Sequence, residues 1–197
     1  IKTWHPNHPD FIDFSNYITN SNDYTTKIYE YIIKKLDTID KDTFKSPYGF
    51  FYRNILRSNF ILEIHTQYQE PVPETGIHPL DHRKFKETKN NLYKMIKDTK
   101  EEFPRLTYVT GNSWLYNIDS YRRLFPKQYL DNGKINTNTF HGLALWGQFL
   151  NKSLKVKTDV AQDFYNKLEM AQNFEQALDA FPYKVISLKS RIDCFLN

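Results

Sequence analysis

Residues 81–103 read DHRKFKETKNNLYKMIKDTKEEF and predict one long amphipathic helix, around which the rest of the fold can be placed. At 100° per residue, Phe85, Leu92 and Ile96 project within a narrow arc, as the apolar stripe of a helix should. Pro104 then ends the helix, since proline has no backbone N–H to donate. The segments on either side of this helix define the rest of the architecture.

Short apolar runs lie on both sides of the helix. Residues 60–64 and 106–109 contain β-branched or aromatic side chains, as does 185–188 further along, and such runs predict strands. The order strand, long helix, strand is typical of a parallel crossover. We therefore expect an α/β or α+β fold with a small, largely parallel sheet packed by helices.

Helical patterns recur along the chain. The other predicted helices are 10–20, 24–39, 48–57, 117–125, 158–168 and 174–181. The first two make the N-terminal third helical, and Ser46-Pro47 is a good start for the third. Residues 143–149 fit a strand or a helix, whereas 67–77 and 131–139 carry the glycine, proline or asparagine of irregular loops.

The composition is that of a folded, soluble protein. Apolar residues make up 40% and aromatic residues 16% of 197, which excludes a disordered chain and fits one globular domain over 1–197. A single cysteine, Cys194, excludes an internal disulfide and fits a reducing compartment. No apolar run approaches the roughly 18 residues of a transmembrane helix. We therefore expect a cytoplasmic protein without a membrane partner.

The charge pattern argues against a dedicated nucleic-acid surface. The formal net charge is +4, but 23 acidic residues are interspersed with 27 basic ones, which is typical of a solvated mixed-charge surface. Weak nucleic-acid binding stays an alternative. Its candidate contacts are Lys84, Lys86, Lys89, Arg53 and Arg57.

The predicted parallel sheet suggests where a ligand would bind. In such a sheet, ligands occupy the crevice beyond the carboxyl ends of the strands. The residues that follow the three predicted strands are His65 and Thr66, then Thr110 to Ser113, then Lys189 to Arg191. We expect these three groups to meet at one edge.

The middle group is the most informative, because Gly111, Asn112 and Ser113 look like a strand-to-helix turn. Gly111 permits a tight turn and Ser113 can cap the next helix, whose amide donors suit a phosphate or carboxylate. Lys189, Arg191 and Arg122 would add positive charge, and His65 is a candidate acid or base. The alternative is a turn in which the glycine and serine only shape and cap the backbone.

Two further side chains are candidates for catalysis. Glu63 lies inside an apolar run, so burial would raise its pKa and suit proton transfer, unless it is exposed or paired with Arg53 or Arg57. Ser113 is a candidate nucleophile, although it lacks the Gly-x-Ser-x-Gly context. The histidines complete no zinc spacing with cysteine or acidic partners, so we expect neither a metal nor a cofactor.

Several blocks of sequence resemble those of a known group of proteins. The blocks are 111–117 (GNSWLYN), 121–126 (YRRLFP), 145–150 (LWGQFL), 180–182 (AFP), 48–54 (YGFFYRN) and 80–85 (LDHRKF). Together they resemble the signature of a family of uncharacterised bacterial proteins. The resemblance implies no activity, but it points to residues 111–125 as a region that matters.

These observations lead to a functional hypothesis with two alternatives. The first is a soluble enzyme, a transferase or hydrolase, acting on a small anionic substrate at Gly111–Ser113. The second is a non-catalytic module that binds a protein partner through its aromatic-rich N-terminal third. The third is the weak nucleic-acid binder described above.

Overall fold

A five-stranded sheet organises the part of the chain that the structure describes. The computed structural model describes residues 46–66, 76–136, 143–153 and 155–196, which belong to one compact unit, Ser46–Asn197. The strands are β1 Phe51–Leu56, β2 Ile61–Thr66, β3 Tyr108–Ser113, β4 Lys134–Asn136 and β5 Val185–Arg191. Their spatial order is β1-β2-β3-β5-β4.

Helices fill most of the remaining described chain. They are α1 Phe85–Glu102, α2 Asp119–Arg122, α3 Lys127–Leu130, α4 Leu143–Trp146, α5 Thr158–Met170 and α6 Phe174–Asp179. Short 3-10 helices lie at His82–Lys84, Trp114–Asn117, Gly147–Phe149 and Ile192–Phe195. Across the described ranges, none of the helices has the length and apolarity needed to cross a bilayer.

The crossover predicted from residues 81–103 is confirmed. Helix α1 connects β2 to β3, and these two strands pair in parallel, with Ile61 opposite Tyr108. The buried side chains of α1 follow a helical stripe. They are Thr88, Leu92, Met95, Ile96 and Thr99. The C-terminal cap of the helix is Phe103, directly before Pro104, as the sequence predicts.

The prediction of a largely parallel sheet is wrong, because three of the four strand pairings are antiparallel. β1 pairs with β2, β3 with β5, and β4 with β5 in opposite directions, and only β2 and β3 run together. The apolar runs identified β2, β3 and β5 as strands, but they carry no information on strand direction. The mixed sheet with helices is therefore the part of the fold prediction that holds.

The helix predicted at 48–57 is also wrong, because this segment forms the first strand of a hairpin. The Ser46 hydroxyl accepts a hydrogen bond from the backbone N–H of Tyr48 (3.2 Å), but Gly49 at φ +61° breaks any helix there. The aromatic and β-branched residues that follow suit a pleated, half-buried strand. A tight turn then reverses the chain, with positive φ at Arg57, Ser58 and Asn59.

Of the other predicted helices and loops, some are confirmed, one is wrong and some lie outside the described residues. Helices α5 and α6 match the predictions at 158–168 and 174–181, and 117–125 contains α2. The loop predicted at 131–139 instead contributes the short edge strand β4. The predicted helices at 10–20 and 24–39 lie outside the described residues, as does most of the predicted loop at 67–77.

The two faces of the sheet differ in chemistry. Leu62 and Ile64 of β2 are buried on one face, whereas Glu63 and His65 between and after them point to the other. The apolar face packs against α1 and against a cluster of aromatic side chains. These aromatic residues are Phe51, Tyr116, Tyr121, Phe125 and Tyr129.

A second, smaller aromatic cluster holds α4 and α5 beside the sheet. The rings of Trp146, Phe149, Phe164 and Phe181 contact each other, with the closest pair of centroids at 4.7 Å. Buried Gln148 fixes this cluster to the start of β5. Its amide donates to the Leu145 carbonyl (2.7 Å), and its oxygen accepts from the Tyr183 N–H (2.8 Å).

Candidate functional site

Strand register places a row of polar side chains on the second face of the sheet. His65 of β2 lies opposite Tyr52 of β1, and Asn112 of β3 lies opposite Ser187 of β5. Because Ile64 is paired with Gly111, His65 and Asn112 are neighbours across the parallel pair. The central strands therefore present one continuous polar row.

Glu63 and His65 form the central contact of this row. They are two residues apart on β2, so they share a face, and Glu63 Oε2 lies 2.7 Å from His65 Nε2. Both side chains are partly buried, with 20% and 32% of their surface exposed. A carboxylate in contact with an imidazole can orient the ring and stabilise its protonated form.

The surroundings of Glu63 keep it ionised. The hydrogen bond with His65 lowers the pKa of the Glu63 carboxyl below its usual 4.5, and hydrogen bonds with Asn54 and Asn112 add to this, although burial opposes it. The sequence suggested a raised pKa for a buried Glu63. The structure reverses that expectation, because the neighbours stabilise the charged form more than burial destabilises it.

The His65 ring is held in one orientation. It stacks on Tyr52 with the ring centroids 4.9 Å apart and the planes 17° from parallel. In the tautomer that donates to the ionised carboxylate 2.7 Å away, the proton is on Nε2, which also lies 3.1 Å from Asn54 Nδ2. Nδ1 then has a lone pair, and no hydrogen bond to Nδ1 is found among the described residues. That nitrogen is the atom able to accept a proton.

A chain of polar contacts continues from Asn112 to the edge of the sheet. The Ser187 hydroxyl donates to the Asn112 side-chain oxygen. The Asn136 amide of β4 donates to the Ser187 oxygen at 2.9 Å and lies 3.5 Å from Asn112 Oδ1. These amide and hydroxyl groups can orient a polar ligand along the face, since each both donates and accepts.

The structure brings together three of the predicted site residues, His65, Glu63 and Asn112. It separates Gly111 and Ser113 from them, because alternation along β3 points both toward the opposite face. The two residues end a strand instead of forming the expected turn. Ser113 does cap the following 3-10 helix, as predicted, by accepting from the Leu115 N–H at 3.1 Å.

The predicted role of Gly111 needs correction as well. Its backbone is extended in β3, so no turn requires a glycine there. Instead, a Cβ at this position would lie 2.3 Å from the Tyr116 hydroxyl and 2.9 Å from the Tyr129 hydroxyl. Gly111 makes room for these two buried phenols, which hydrogen-bond to each other at 3.1 Å.

The predicted cluster of positive charge does not form at the end of β3. Because β5 is antiparallel, Arg191 lies opposite Tyr108 at the start of β3, and Lys189 lies opposite Thr110. Lys189 shares the polar face with Glu63, but its ammonium sits over the Tyr108 ring, 4.5 Å from the centroid. Arg122 is exposed on α2, which packs on the apolar side through Tyr121.

Sequence reasoning missed four residues of the polar row, Tyr52, Asn54, Asn136 and Ser187. The first two lay in the predicted helix at 48–57, and Asn136 lay in a predicted loop. The aromatic and β-branched residues of Phe51–Leu56, FYRNIL, were the signal that could have identified a strand. Ser187 was within a predicted strand, but only the register brings it to Asn112.

The described residues offer no ligand set for a metal ion. Among them, no three His, Cys, Asp or Glu side chains come together. The Cys194 thiol donates to the Arg191 carbonyl at 3.0 Å and is partly buried. The polar row therefore has to be interpreted through its histidine, carboxylate, amides and hydroxyls.

The basic residues considered for nucleic-acid binding are partly committed to other contacts. Arg53 pairs with Glu102, and Lys84 with Glu87 at 2.7 Å. Lys89 lies over the Phe85 ring. The N-terminal third considered for protein binding lies outside the described residues, so both alternatives stay predictions.

Comparisons with known proteins add no relative. No family profile, curated protein or solved structure matches the chain. The resemblance to uncharacterised bacterial proteins therefore stays a prediction, and the function has to be argued from the geometry of the polar row.

Proposed function

We propose that this protein is an enzyme, a hydrolase or transferase, which binds a small anionic substrate on the polar face of the sheet and uses His65 as a general base. The observation that carries the proposal is the 2.7 Å contact between Glu63 Oε2 and His65 Nε2. It favours the imidazole tautomer with its proton on Nε2, in which the Nδ1 lone pair points away from the carboxylate.

The chemistry follows from that arrangement. His65 Nδ1 takes a proton from water or from an acceptor hydroxyl as its oxygen attacks a carbonyl or phosphoryl group. The imidazolium that forms is stabilised by ionised Glu63, and it returns the proton to the leaving oxygen. Glu63 is a positioning residue, because it acts through His65.

Substrate binding is assigned to the neighbouring polar groups. Asn112 and Ser187 lie in the same row as His65 and can hydrogen-bond to substrate oxygens. Lys134 is paired with Ser187 and shares its face, as does Lys189 two residues further along β5. Their positive charges favour an anionic ligand. These two lysines take the role that the sequence predicts for cationic residues at the ends of the strands.

Hydrolysis of chromogenic carboxylate and phosphate esters tests the proposal. Wild-type protein should hydrolyse at least one p-nitrophenyl ester faster than buffer, and His65→Gln should lower kcat/KM by roughly 10²- to 10⁴-fold. Glu63→Gln should lower kcat with little change in KM, because it disturbs the base and not the binding groups.

A matched histidine substitution separates catalysis from non-specific effects. His82→Gln replaces a side chain that is 80% exposed and lies before α1, and it should leave the rate unchanged. Equal rates for His65→Gln and wild type would overturn the proposal, as would wild-type protein that hydrolyses no ester faster than buffer.

A further inference from the structure

A cavity of about 160 Å³ lies between the edge of the sheet at β4 and helices α4 and α6. Its lining is mixed. The apolar residues are Ile135, Leu145, Leu178, Phe181 and Val185, and the polar or charged ones are Asn136, Tyr183, Lys184, Glu175 and Asp179. A dry apolar cavity of about 150 Å³ binds benzene, so this volume suits one phenyl ring or a branched alkyl group of similar size.

The cavity shares one residue, Asn136, with the candidate site. Asn136 lines the cavity and also donates to Ser187 at 2.9 Å. Val185 is the Cα partner of Asn136 and lies on the same face as Ser187, two residues further back along β5. One residue of the polar row is thus part of the cavity wall.

Strand geometry gives the distance between the cavity and His65. His65 on β2 and Ser187 on β5 are two strand spacings apart, each of about 4.8 Å. Val185 lies two residues from Ser187 along β5, a step of about 7 Å. The Cα atoms of His65 and Val185 are therefore about 12 Å apart. A ligand that reaches both must be elongated, with an apolar end and a polar body.

We propose that the cavity binds the phenyl-sized end of a carboxylic acid or its derivative, whose oxygens lie against Asn136, Ser187 and Asn112. This inference rests on the proposed function, because it names the substrate class of the same site. The apolar lining favours burial of a ring at the edge of the sheet. Lys134, which is paired with Ser187, and the Asn136 amide favour a carboxylate at this end. Lys184 neutralises Asp179, one of the two acidic residues in the wall.

Three carboxylates of increasing size probe the cavity. Phenylacetate should give saturable binding when titrated into the full chain and followed by saturation-transfer NMR. Acetate lacks the ring, and 1-naphthylacetate exceeds the cavity volume, so both should bind at least about tenfold more weakly. Equal affinity for all three carboxylates would overturn the inference.

Two substitutions in the cavity wall locate the binding. Val185→Phe places a ring inside the cavity, and Ile135→Asp puts a charge on a wall residue that is 64% exposed and so tolerates the change. Each should weaken phenylacetate binding by about tenfold or more. Val156→Phe and Val156→Asp are matched controls at an exposed position outside the cavity and should keep the wild-type affinity.

The two proposals can fail separately. His65→Gln should retain phenylacetate binding within about threefold while it loses ester hydrolysis. If Ile135→Asp and Val185→Phe leave the affinity unchanged, the cavity inference is wrong even where the His65 rate effect is found. If Val185→Phe does not fold, Ile135→Asp alone decides.

Discussion

Replacing Gly111 with alanine should strongly destabilise the fold, because the space beside it is filled by two buried phenols. The new Cβ would lie 2.3 Å from the Tyr116 hydroxyl and 2.9 Å from the Tyr129 hydroxyl, so both have to move. Tyr116 is 3% exposed and Tyr129 is fully buried, with other aromatic rings behind them. The packing offers no easy path for the displacement.

Three terms set the magnitude. Overpacking of a filled core costs about 1–3 kcal/mol. Breaking the Tyr116–Tyr129 hydrogen bond leaves a buried hydroxyl unsatisfied, which costs about 1–3 kcal/mol. The lower conformational entropy of alanine in the unfolded chain returns about 0.4–1 kcal/mol. We expect Gly111→Ala to lower the free energy of unfolding by about 3 kcal/mol, measured by urea denaturation with far-UV circular dichroism.

A double-mutant cycle tests the stated cause. Tyr116→Phe removes the oxygen at 2.3 Å and leaves the Tyr116 Cζ at 3.4 Å from the new Cβ, which is ordinary contact. The double variant should therefore be more stable than the sum of the single effects by about 1–2 kcal/mol. Gly147→Ala is the matched control, because its Cβ would meet only Trp114 Nε1 at 3.8 Å. Additive effects, or an equal loss of stability for Gly147→Ala, would show that the two phenols are not the cause.

Two further predictions concern the hairpin and the ionised carboxylate. Ser58→Gly should raise the free energy of unfolding by about 0.5–1 kcal/mol, since φ is +52° there, and an unchanged urea midpoint would contradict this. Glu63→Gln should destabilise most at neutral pH. Because folding lowers the pKa of Glu63, its contribution is complete above 4.5 and is lost as pH falls through the folded value. Urea midpoints measured from pH 7 to pH 3 should therefore converge, and a constant gap would count against the assigned contacts.

The sequence predicted the elements whose side chains follow one period over many residues. Helix α1 has five buried positions on one stripe, and a proline ends it, so local and tertiary preferences agree. The prediction for β1 was wrong because the serine–proline pair and the spacing of the aromatic residues are also typical of the start of a helix. The structure instead depends on Gly49 at positive φ and on pairing with β2, a contact distant in sequence.

The site was predicted in part, and the division has a physical cause. Glu63 and His65 are local neighbours on one strand, so their contact could be inferred once β2 was recognised. Asn112 joins them because β2 and β3 are parallel, as the long crossover helix required. Ser187 and Asn136 depend on the direction and register of β5, which no pattern in the chain specifies.

The direction of β5 therefore determines which of its side chains lie beside Asn112. With β5 parallel to β3, Lys189 and Arg191 would have left the sheet at the same edge as Asn112 and favoured a strongly charged anion at the loops. Since β5 runs the other way, Arg191 lies opposite Tyr108, and Ser187 lies opposite Asn112. A hydroxyl thus lies beside Asn112 where a guanidinium was expected, and the candidate site lies on the face of the sheet and not at its edge. The arrangement suits a substrate bound mainly by hydrogen bonds and an apolar end, with charge in a supporting role.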